Sequence, residues 1–157
     1  MPKNKNSQVV EIDQSWRLEN TNKATAIGFS NGKSGSILIP AKVKKAIYEI
    51  LNEKYQRGNR NNLRFFGSII LLIIKLYKLE KCHFSIDEEY SNCDRILIDI
   101  IVDKGRKKYN LDLKREQFLV INIGKKSKAH FVAYNTFKQK RRPDKILKVK
   151  DILGVLF

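Results

Sequence analysis

The stretch F-F-G-S-I-I-L-L-I-I, residues 65–74, constrains the fold more than any other part of the chain. It carries no charge and must leave water. Lys75 closes it well short of the ~18 apolar residues that a membrane-spanning helix needs. The segment around it, 62–79, is apolar nearly all round, which predicts a helix that is central and buried. A chain of 157 residues, 42% of them hydrophobic, fits one domain able to wrap such a helix. The opening M-P-K-N-K-N-S lacks the apolar stretch of a signal peptide. Cys82 and Cys93 are too few for a disulfide framework or a zinc site. The expectation is a cytoplasmic protein with no membrane partner.

The other elements arrange themselves about that helix. Residues 1–22 are polar and Asn-rich, apart from Val9, Val10, Ile12 and Trp16, and read as a loosely held arm with at most one short strand. The single folded domain is then expected over 23–157. Residues 24–30 and 35–40 are strand-like, and Asn31-Gly32 between them is a strong hairpin signal. A helix should follow Pro40, with Val43, Ala46, Ile47, Ile50 and Leu51 on one face, Lys42, Lys44, Lys45 and Lys54 largely off it, and Gly58 as its stop. Cys82–Asp87 and Gln117–Ile123 read as strands, and Ser127–Lys138 as a helix. The period of residues 94–102 fits either a helix or a buried strand, with Gly105 marking its end. A short strand at 146–149 and a helical turn at 151–157 complete the chain. An N-terminal β-hairpin, two helices and then strand–helix alternation predict an α+β fold with a mixed sheet.

Charge narrows the function. There are 32 Lys and Arg against 16 Asp and Glu, a net charge of +16. Folding does not require that excess and self-repulsion opposes it, so a polyanion is the natural partner and double-stranded DNA the expected one. A generically basic protein is the plain alternative. Basic side chains cluster in three places: Lys125, Lys126 and Lys128 in G-K-K-S-K-A-H; Lys138, Lys140, Arg141 and Arg142 in K-Q-K-R-R-P-D-K; and Arg57 and Arg60 beside Tyr55, a ring available for base stacking. The first cluster joins a strand to a helix N-terminus, a place suited to gripping phosphate. It is not a P-loop, because Leu119 stands where the first glycine belongs, and G-F-S-N-G-K-S at 28–34 also fails that pattern. No sequence-reading DNA-binding motif is present, so contact through the backbone is expected.

Against this positive background, Asp87, Glu88 and Glu89 stand together where a strand should end. Strand alternation puts Asp87 and Glu89 on one face, able to share a cation, with Glu88 aimed elsewhere. Acid repels phosphate unless a metal intervenes, and Mg²⁺ is held by one or two carboxylates plus substrate phosphates. His83 shares the face of Asp87 and is a candidate proton donor; His130 in the Lys-rich segment is a second. The bland reading is a solvated turn, since no E-x-K follows to complete a nuclease signature.

Ile86–Tyr90, Ile123–His130 and Pro143–Leu147, with the hairpin at 24–40, resemble segments of the small basic proteins encoded by crenarchaeal viruses and plasmids, which include a nuclease of this kind. The resemblance implies an α+β fold remotely like that of nucleotidyltransferases. It also implies cleavage of linear double-stranded DNA that depends on an acidic residue, here one of Asp87, Glu88 and Glu89. The Lys, Ile and Glu content suits a hot environment, whereas the many Asn do not. The reading is thus a Mg²⁺-assisted nuclease. Its alternatives are a DNA-coating protein and a nucleotidyltransferase-like phosphoryl enzyme, and the sequence leaves a homo-oligomer open.

Overall fold

The structure, a computed structural model, describes residues 8–30 and 34–157. Residues 1–7 and the turn expected at Asn31-Gly32 lie outside the described residues. Among the described residues, six strands form one mixed sheet: β1 (Val9–Ser15), β2 (Thr25–Ser30), β3 (Ser34–Ile39), β4 (His83–Asp87), β5 (Phe118–Ile121) and β6 (Lys145–Ile146), in the spatial order β5-β4-β1-β2-β3-β6. β2 runs antiparallel to both β1 and β3, while β4 is parallel to β1, β5 to β4, and β6 to β3. Five α-helices complete the fold: α1 (Ala41–Lys54), α2 (Asn59–Leu76), α3 (Asp94–Tyr109), α4 (Lys128–Phe137) and α5 (Val149–Leu156). The α+β expectation holds. None of the described helices is long and apolar enough to cross a membrane.

Side-chain alternation divides the sheet into two unlike faces. Val10 and Ile12, Ile27 and Phe29, Ile37 and Ile39, Phe84 and Ile86, and Phe118 all point to one face and are buried. They join α2, whose Phe65–Ile74 run is buried throughout, together with α1, α3 and α5 in one core. The alternate residues, among them Asp13, Gly28, Ser36 and Asp87, point to the opposite face, where α4 lies. Gly28 is what allows α4 to come so close: a Cβ there would stand 2.5 Å from the Ala129 carbonyl oxygen and 2.6 Å from the Ala133 nitrogen. The helix answers with small residues, Ala129 and Ala133, and its Thr136 hydroxyl donates to Ser36 Oγ at 2.8 Å.

Several sequence expectations are corrected. β1 is no loose arm: it is paired on both sides, to β2 and to β4, in the middle of the sheet. Its polar alternate positions disguise it, because they belong to the face under α4. Gly58 does not stop α1, which ends before Tyr55; it precedes α2 instead. Residues 94–102 are helical, one of the two forms their period allows, and α3 runs through Gly105 to Tyr109, where Asn110 ends it in the left-handed conformation at φ 53°. At Gly105 the lack of a side chain admits Leu113, whose Cδ1 a Cβ would meet at 2.9 Å. Lys44 is fully buried, and its Nζ donates to the carbonyls of Arg17, Asn20 and Lys23 at 3.2, 2.7 and 2.8 Å. Burial pulls its pKa down to about 8. The ammonium thereby ties the segment after β1 to α1 through three backbone carbonyls.

Candidate active site

Parallel pairing of β1 with β4 builds the site. The register Ile12 to Ile86, carried one residue further, sets Asp13 beside Asp87 at the carboxyl ends of two adjacent strands. In open sheets of parallel strands this is the edge where ligands bind. Glu89 follows two residues beyond Asp87. One carboxylate oxygen from each of Asp13, Asp87 and Glu89 lies within 4.8 Å of the others. The three are held from several directions. Asp87 Oδ1 accepts the Ile123 N–H at 2.9 Å, and Asp13 Oδ1 accepts the Gln14 N–H at 2.8 Å. Glu89 faces Arg17 Nε at 3.7 Å, and Asp13 Oδ2 shares a 2.7 Å hydrogen bond with His130 Nδ1.

His130 arrives on the first turn of α4. Ser127 caps that turn, its Oγ accepting the His130 N–H at 3.0 Å. Gly28 pairs with Asp13 across β1 and β2, so the strand position that lets α4 approach adjoins the carboxylate that His130 meets. Asp13, Asp87, Glu89 and His130, with Asn122, Gly124 and Lys125, line an open cavity of about 170 Å³. Its electrostatics are strained. Burial, and then the charge of Asp87, push Asp13 up to about 6, although the His130 hydrogen bond works the other way. Burial, and then Asp87 and Asp13, push Glu89 up to about 8, against the pull of Arg17. Carboxylates held this close cannot all ionise at neutral pH without a counter-charge.

The structure therefore gathers Asp87, Glu89, His130 and Lys125 out of the residues that the sequence suggests. Glu88 is turned away: it is exposed, and its N–H donates to the Ile121 carbonyl at 2.9 Å. His83 is exposed at the opposite end of β4, four residues from Asp87 and roughly 13 Å along an extended strand. It does not line the cavity, and the histidine that does is His130. Lys126 and Lys128 are exposed beside the cavity mouth, and Lys138, Lys140 and Arg142 are exposed beyond the far end of α4. Arg141 is partly engaged, donating to the Ser34 carbonyl at 3.2 Å. Arg57 precedes α2 and Arg60 lies in its first turn, in the helical layer on the other side of the sheet. Tyr55 is already covered there by the Arg64 guanidinium, 3.8 Å from its ring centre, which leaves that face closed to a base.

Sequence reasoning misses Asp13 and Arg17. The signal for Asp13 is present, since V-V-E-I-D alternates apolar and acidic residues and ends on acid, as F-S-I-D does in β4. Nothing local says that the two strands are neighbours. No family model, curated protein or solved structure matches the chain. The chemistry of the cleft therefore rests on the residues themselves.

Proposed function

We propose that the protein is a nuclease that hydrolyses phosphodiester bonds of linear double-stranded DNA with the help of a divalent metal, Mg²⁺ being the first choice. The observation that carries this reading is the convergence of Asp13, Asp87 and Glu89 within 4.8 Å in a chain of net charge +16. An acidic knot opposes simple DNA binding, and a cation reconciles the two. The residues fit such an ion: the donors are all carboxylate oxygens, which suit Mg²⁺, and the pKa values of Asp13 and Glu89, raised first by burial and then by the neighbouring carboxylates, mark negative charge that an ion would stabilise. Asp13, Asp87 and Glu89 would hold it, and when bound it supplies a Lewis acid and an activated water.

The rest follows from the chain's own groups. Lys125, Lys126 and Lys128 draw the phosphate backbone toward the carboxylates and offset their charge. His130, oriented through Nδ1 by Asp13, can pass a proton through its other ring nitrogen. The Ile123 N–H fixes Asp87, and Arg17 holds Glu89, so the acids need little reorganisation. A DNA-coating protein would have no use for a partly buried acidic cluster.

The test is incubation of the purified protein with linear and closed-circular DNA, with Mg²⁺ and with chelator. Linear DNA should be degraded only with metal. Asp13→Asn, Asp87→Asn and Glu89→Gln should each lower the rate by roughly a hundredfold or more while leaving DNA affinity unchanged or slightly higher. Glu88→Gln should leave the rate alone. If the parent binds DNA and cuts none of it under any metal, the coating reading takes over.

A further inference from the structure

The outer side of α4 carries what no folding argument explains. Its inward residues, Ala129, Val132, Ala133 and Thr136, are buried against the sheet. Its outward residues include Phe131 and Tyr134, 66% and 43% exposed. Two large rings facing water on a ten-residue helix are costly for a protein that has no structural need of them. They are not scattered. The His130 and Tyr134 rings are stacked, 16° from parallel with centroids 6.3 Å apart, and Lys138 Nζ lies 5.7 Å from the Tyr134 centroid. The row begins at the residue that hydrogen-bonds Asp13, so it leads directly out of the carboxylate cavity.

The surrounding charge selects the occupant. Residues 122–143 contain seven Lys and Arg and no Asp or Glu. A second copy of a chain with net charge +16 would be repelled by such a surface. A polyanion with flat apolar rings would be attracted twice, through phosphates by the lysines and through bases by the rings. Duplex DNA hides its base faces in the stack, so rings that face outward are of use only to bases that are unpaired.

We propose that the His130–Phe131–Tyr134–Lys138 side of α4 is a stacking platform for unpaired bases, so that the strand delivered to the carboxylates is the frayed or overhanging end of a duplex. This rests on the nuclease reading of the carboxylate cavity and adds the substrate form to it. It also gives a physical reason for preferring linear DNA, because a closed circle offers no end to fray.

Binding is measured with the full chain in chelator, so that cleavage plays no part. The probes are a blunt duplex and the same duplex with a short overhang that carries 2-aminopurine, whose fluorescence changes on stacking. The overhang probe should bind tighter and be quenched. Phe131→Ala and Tyr134→Ala should each weaken overhang binding roughly 5- to 150-fold, with blunt-duplex affinity and melting temperature unchanged. Phe131→Trp and Tyr134→Phe should keep it. Equal affinity of the parent for both probes would overturn the platform, as would alanine variants that bind the overhang like the parent. A parent dimer that Phe131→Ala turns into monomers would assign the rings to a second copy instead. Because no arm uses cleavage, loss of the nuclease reading would show in the metal experiment above and not here.

Discussion

The two faces of the sheet divide the labour between them. One is closed by α1, α2, α3 and α5 around a continuous apolar core, with Ile69, Ile70, Ile73 and Ile74 at 0% exposure. The other is covered, among the described residues, by α4 alone, which reaches β1, β2 and β3 and leaves Leu119 and Ile121 of β5 at 55% and 37% exposure. Every residue of the acidic cleft belongs to the thinly covered side or to the strand ends beside it. A charge cannot sit in the thick layer without a partner. On the α4 side the same acids keep contact with water, with lysines and with any ion that enters. The thick layer holds the strands in register, and that register places Asp13 next to Asp87.

The sharpest way to break this division is to put a charge on the wrong side. Ile70→Asp or Ile73→Asp places an unpaired carboxylate in the fully buried stretch of α2. The cost is several kcal/mol, a large part of a domain's whole stability. Both variants should be insoluble or lack a cooperative melting transition, whereas Asp87→Asn on the other face should melt near the parent. Soluble, parent-like Ile70→Asp would mean that α2 is covered by less than the thick layer described above.

A smaller effect is expected at the junction of the two sides. Gly28→Ala places a methyl group where the backbone of α4 now lies, 2.5 Å from the Ala129 carbonyl oxygen. Backbone cannot rotate away as a side chain does, so α4 has to move. The expected destabilisation is about 1–3 kcal/mol, seen as a lower melting temperature, and the His130–Asp13 hydrogen bond should be lost with it. Cleavage should then fall more than the change in stability alone explains. A variant with parental rate and parental melting temperature would show that α4 adjusts freely and that His130 is not held by this packing.

How much of this was legible in the sequence follows the same division. The thick side was readable because its signal is local and dense: 65–74 can only be a buried helix, and Phe84 and Ile86 alternate as a half-buried strand must. The thin side was readable only in parts. Asp87 and Glu89 stood out because they are close in sequence, but Asp13 lies 74 residues from Asp87 and meets it through parallel pairing, which leaves no local mark. β1 is disguised for a related reason. An interior strand usually reads as continuously apolar, whereas V-V-E-I-D-Q-S gives its second face to the site. Lys44 was misplaced because a lysine is expected in water; its burial depends on three carbonyls from a loop that no helical pattern reveals. His83 and His130 could not be ranked by sequence, since the choice depends on where α4 lands.

The smallest expected effect is the most specific to the thin side, because it concerns how its acids respond to pH. Asp13 and Glu89 have folded-state pKa values raised to about 6 and about 8. In the unfolded chain both titrate near the ordinary carboxylate value of about 4. Between those limits the folded state holds protons that the unfolded state has released, so stability from these two groups is complete below pH ~4 and is lost as pH rises through about 6 and then about 8. Glu89→Gln removes the group with the larger rise and keeps a polar side chain of nearly the same shape. At pH 8 the variant should be more stable than the parent by about 1–3 kcal/mol, or a few degrees in melting temperature, and the gap should close by pH 5. Metal should act in the same window. A divalent ion displaces those protons, so Mg²⁺ or Mn²⁺ should raise the parent's melting temperature at pH 8, do much less at pH 5, and do little to Glu89→Gln at either. A gap of the opposite sign at pH 8 would mean that Arg17 outweighs the repulsion around Glu89. The cluster would then be a satisfied ion-pair network with no need of a cation.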